Sequence, residues 1–68
     1  MDLNDYSEQE IKAAIALKGT TITELAKDIP TSPQYLSRVF KGKANIASQT
    51  VNEAVIKLIG PELKRVSG

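Results

Sequence analysis

The chain has 68 residues and a formal net charge of +1; 41% of its residues are hydrophobic and 25% charged, and it contains no cysteine and no histidine. That length supports one domain, close to the lower limit of roughly 40 to 70 residues at which a single core holds a fold without disulfide or metal. The missing residue types exclude disulfides, thiolate zinc sites, imidazole ligands and histidine general bases. No apolar run approaches the roughly 18 residues of a membrane span, and the acidic start MDLNDYSEQE is unlike a signal peptide, so the expectation is a cytoplasmic protein.

In chain order, Ser7-Glu8-Gln9-Glu10 is a capping-box pattern, flanked by Tyr6 and Ile11 at the positions of a hydrophobic staple. It predicts a first helix over about Glu8 to Lys18, ended by Gly19, with Ile11, Ala14 and Ile15 on the core face and Leu17 at its edge. Thr21-Ile22-Thr23-Glu24 repeats the box. Ile22, Leu25, Ala26 and Ile29 then follow at helical spacing, so a short second helix should close at Asp28 or Ile29, before Pro30. Ser32 as cap and Pro33 at the first helical position open a third helix, about Pro33 to Lys41, with Leu36, Val39 and Phe40 as anchors. After an ordinary connection over Lys43 to Ala47, Ser48 is the expected cap of a fourth helix. Its pattern of Val51, Ala54, Val55, Leu58 and Ile59 is expected to stop at Gly60-Pro61, leaving Pro61 to Gly68 for one further turn. No segment alternates with period two, so the predicted fold class is all-α: a compact bundle of four to five short helices in a single domain, residues 1–68. Ile11, Ile15, Leu25, Ala26, Ile29, Leu36, Val39, Phe40, Val51, Val55 and Leu58 should be buried.

The charges are unevenly spread. Residues 1–28 carry six acids against three lysines, whereas residues 29–68 carry six bases against two acids, a net +4. Such asymmetry lets one part of a surface attract phosphates while another repels them. Catalysis finds no support, because the acids fall at helix starts where capping explains them and Gly42-Lys43 lacks the remainder of a phosphate loop. No cofactor, metal or small-molecule ligand is expected.

The segment ITELAKDIPTSPQYLSRVFKGK, Ile22 to Lys43, resembles the helix-turn-helix of the Cro and lambda-repressor family of bacterial and phage regulators. Leu25 and Ala26 stand where that family has an apolar residue followed by a small one. Ile29, Ser32, Leu36 and Lys41-Gly42-Lys43 meet its later requirements, and Val51 to Ile59 lies where it places a fourth helix. One position departs: the family usually has glycine in the turn, where this chain has Pro30. The stretch from Ser32 to Lys41 is also similar to the first helix-turn-helix of AraC-type activators, but nothing after Lys43 repeats the motif as those domains do.

The resemblance implies a sequence-specific regulator of transcription, of the phage or mobile-element repressor kind, whose partner is a double-stranded DNA operator. It places base-reading side chains on the third helix, here Pro33, Gln34, Tyr35, Ser37 and Arg38. Gln34 suits adenine N6 and N7, Arg38 suits guanine O6 and N7, and Tyr35 or Pro33 suits a thymine methyl. It places phosphate contacts at Thr21, Thr23, Lys41, Lys43 and Asn45, with Lys27 a weaker candidate. Regulators of this size usually bind as two-fold pairs. A weak homodimer is therefore expected, built from Ile56, Leu63 and Val66, unless Leu63 and Val66 fold back on the monomer core. The competing function on the same fold is a protein-interaction module, antirepressor or antitoxin-like.

Overall fold

The computed structural model describes residues 3–42 and 48–67. A 3-10 turn, Leu3–Asp5, precedes α1 (Glu8–Lys18), α2 (Ile22–Asp28), α3 (Pro33–Gly42) and α4 (Gln49–Ser67). Among the described residues there is no strand.

Each helix begins at the side chain expected to cap it. Ser7 is extended (φ −77°, ψ 163°) and its Oγ accepts from the Glu10 N–H at 3.1 Å, while Glu10 Oε1 accepts from the Ser7 N–H at 2.8 Å, a complete capping box. Thr21 Oγ1 accepts from the Glu24 N–H at 3.1 Å, but the second half of that box does not form: the Glu24 carboxylate lies 3.6 Å from Lys27. Ser32 Oγ accepts from the Tyr35 N–H at 3.1 Å, and Ser48 Oγ from the Val51 N–H at 3.2 Å. Gly19 closes α1 in the left-handed region (φ 81°, ψ 27°), its N–H donating to the Ala16 carbonyl at 3.0 Å. Ile29 keeps helical torsions (φ −69°, ψ −44°), and the peptide bond to Pro30 is cis. The Thr31 N–H reaches back to the Ala26 carbonyl at 2.6 Å and completes the α2–α3 turn.

Packing pairs α1 with α4 and α2 with α3, and α1 also touches α3. One core results, formed by Leu3, Ile11, Ala14, Ile15, Leu25, Ala26, Leu36, Val39, Phe40, Val55, Ile59 and Leu63. Ile29, Val51 and Leu58, expected inside it, lie half-buried at its margin. Leu17 turns outward, 48% exposed, because α1 is covered only on the side that carries Ile11, Ala14 and Ile15.

Two expectations are corrected. First, α3 extends one residue further, through Gly42. Second, α4 does not stop at Gly60-Pro61 but continues to Ser67 with Pro61 inside it. An internal proline sacrifices a backbone hydrogen bond and costs about 3 kcal/mol. Continuing the helix, however, carries Leu63 onto the face of Ile59, where both are fully buried, and sets Glu62 3.9 Å from Lys18 of α1. Burying a leucine contributes roughly 1.5–3 kcal/mol, so tertiary packing offsets the proline. The acidic start, which the sequence assigned to no element, is also part of the fold. Leu3 is fully buried, its N–H donates to Asn52 Oδ1 of α4 at 3.3 Å, and its carbonyl accepts from the Tyr6 N–H at 3.2 Å.

Candidate nucleic-acid interface

Leu36, Val39 and Phe40 are all fully buried, and three anchors at positions i, i+3 and i+4 fix the rotation of α3 about its axis. The same rotation turns Gln34, Arg38 and Lys41 to solvent as one exposed stripe, with half-buried Ser37 between them. Pro33 and Tyr35 are half-buried and lie beside this stripe rather than on it. Lys43 and Asn45, expected to contact phosphates, lie outside the described residues.

Ion pairing divides the described cations in two. The three lysines of residues 1–28 each face a carboxylate: Lys12 with Glu8 at 3.7 Å, Lys18 with Glu62 at 3.9 Å and Lys27 with Glu24 at 3.6 Å. The exposed Lys27–Glu24 pair adds only about 0–1 kcal/mol of stability. All three pairs, however, lower the positive potential where they sit. Arg38, Lys41, Lys57, Lys64 and Arg65 make no ion pair with any described residue. Two of these five belong to the α3 stripe, so its positive charge has no ion-pair partner among the described residues.

Thr21 and Thr23 are exposed at the start of α2. Thr21 accepts through its oxygen from Glu24, which leaves the hydroxyl hydrogen to donate. The first turn of α4, with exposed Ser48, Gln49 and Thr50, approaches the first turn of α3: the Ser48 N–H donates to the Tyr35 hydroxyl at 3.4 Å. No periodicity or motif announces that contact, which spans thirteen positions of chain. Of the three dimer candidates, Leu63 is corrected. It is fully buried in the chain's own core and offers no surface to a second copy, while Ile56 and Val66 are half-buried against the same core. Among the described residues no group of acidic side chains is placed to hold a metal, and no helix is long and apolar enough to cross a membrane.

A helix held by buried anchors, presenting an exposed polar and basic stripe and preceded across a tight turn by a second helix, defines a helix-turn-helix DNA-reading domain. The family model described as helix-turn-helix matches residues 11–55, more than half of the chain, and the chain belongs to that Cro and lambda-repressor-like family. The family is one of DNA-binding transcription regulators, not enzymes, and implies double-stranded DNA as the partner. The match takes in α1 from Ile11 onward and the first seven residues of α4 as well as the Ser32 to Lys41 stretch shared with AraC-type activators. No curated protein and no solved structure matches the chain.

Proposed function

We propose that this chain is a sequence-specific repressor of the phage or mobile-element Cro kind, acting in the cytoplasm and reading an operator in the major groove with α3. The observation that carries the reading is the stripe of Gln34, Ser37, Arg38 and Lys41, held outward by Leu36, Val39 and Phe40 and, among the described residues, without an ion pair. The major groove, about 12 Å wide, admits a helix, and its base edges present acceptor and donor pairs that suit a guanidinium and a carboxamide. Arg38 reads guanine, Gln34 reads adenine, and Ser37 and Pro33 lie against the neighbouring base edges. Lys41 with the Thr21 and Thr23 hydroxyls grips the sugar–phosphate backbone, as do Lys43 and Asn45. These contacts position the domain without selecting sequence.

One α3 spans only a few base pairs, so two copies occupy half-sites about one helical turn apart. With Leu63 enclosed, the surface left for pairing in solution is the half-buried Ile56 and Val66, which is too little for a stable dimer. DNA holds the pair together by linkage.

The test is a gel shift or footprint against DNA flanking the source gene, with Arg38→Ala beside the unaltered chain. Arg38→Ala should cost about 1–3 kcal/mol on the cognate site and hardly change binding to random duplex. A variant that kept its full site preference would remove Arg38 from the reading role. Binding should also fall steeply with salt, which sets phosphate recognition apart from an apolar protein interface of the antirepressor kind.

A further inference from the structure

We propose that Tyr35 is a positioning residue for DNA recognition: it joins the caps of α3 and α4 and so holds the reading helix against the rest of the bundle. The proposal rests on α3 being the reading helix. Among its hydrogen bonds, Tyr35 has one to the cap of each of two helices. Its backbone N–H donates to Ser32 Oγ, the cap of α3, at 3.1 Å, and its phenol oxygen accepts from the N–H of Ser48, the cap of α4, at 3.4 Å. Ser48 is in turn built into α4, since its Oγ accepts from the Val51 N–H at 3.2 Å and its carbonyl accepts from the Asn52 N–H at 3.0 Å. The ring between these bonds is half-buried and packs against the core.

The placement matters because the two helix pairs of this fold are α1 with α4 and α2 with α3. A bond from the first turn of α3 to the first turn of α4 ties one pair to the other at the end where Gln34 enters the proposed groove. An apolar contact resists separation but is non-directional, whereas a hydrogen bond weakens steeply once its geometry is lost. A phenol whose oxygen is engaged at the cap of α4 is also held away from the exposed Gln34–Arg38–Lys41 stripe, so its effect on DNA is exerted through α3 and not through a base.

Tyr35→Phe keeps the ring and removes the acceptor. The first measurement is on the free protein: the Ser48 amide resonance should shift and its hydrogen exchange accelerate. The second is affinity for an operator panel carrying every single-base substitution, recorded well below the melting temperature. Loss of one bond of this kind should lower affinity for every duplex by a common factor of about three to ten. The base-preference profile should remain superimposable on that of the unaltered chain. Ser7→Ala, a stability-matched control at the start of α1, away from α3 and from the proposed phosphate contacts of Thr21 and Thr23, should leave affinity unchanged, so a uniform loss in Tyr35→Phe cannot be ascribed to stability alone. A change of preference confined to one base pair would make Tyr35 a base reader and overturn the proposal. So would an unchanged Ser48 amide, or unchanged affinity. If the unaltered chain bound no duplex while its Ser48 amide still responded to Tyr35→Phe, the DNA-binding reading would have failed and the link between the caps would stand.

Discussion

Gly19 shows how much of this domain's stability resides in single backbone positions. Its φ of 81° lies where a side chain is strained, yet a Cβ built there would meet nothing within 4 Å. Gly19→Ala should therefore destabilise by roughly 1 kcal/mol through conformation alone, read as a lower urea midpoint with an unchanged m-value. Gly19→Asn should lose less, because asparagine tolerates the left-handed region. Ser7 is the matching position at the other end of α1. Ser7→Ala removes the capping box and should cost about 1 kcal/mol. Both positions were legible beforehand, since a cap is set by residues within four positions of each other.

At the scale of the element, α4 carries the sharpest test. An exposed proline inside a helix that continues to Ser67 leaves one carbonyl unpaired. Pro61→Ala should stabilise the chain by about 1–2 kcal/mol, less than the full propensity difference because proline also restricts the unfolded chain. A neutral result by urea denaturation would mean that the helix gains nothing across this point. Leu63→Ala decides between the two roles offered for that side chain. As a core residue it should cost about 2–5 kcal/mol in the monomer at any protein concentration. As a dimer contact it would leave the isolated monomer unaffected. Local propensity argued for a stop at Gly60-Pro61, and the burial of Leu63 against α1 and the bundle prevailed.

The whole molecule has a Cα radius of gyration of 10.4 Å, close to the roughly 11 Å expected of a compact chain of this length. Among the described residues twelve buried apolar residues form one cluster, and every element contributes to it, so the loss of any one should be felt globally. Leu3→Ala should cost about 2–5 kcal/mol although it lies outside the region matched by the family. Assembly is tested at the same scale. Sedimentation at micromolar and millimolar concentration should find a monomer that pairs weakly at most, and Ile56→Glu should abolish cooperative filling of two half-sites. A single half-site occupied without cooperativity by the unaltered chain would remove the dimer.

The residues alone determined the four caps, the start of every α-helix and the anchors of α3, and hence that Gln34 and Arg38 face outward, though not that Pro33, Tyr35 and Ser37 are half-buried. They could do so because each feature depends on groups within about one helical turn of one another. The tertiary structure alone decided that Leu3 is core, that α4 runs through Pro61, that Leu63 faces inward and that Tyr35 reaches Ser48. Those outcomes join groups far apart in the chain, and the free energy of burial or bonding that selects them exists only once the helices have packed.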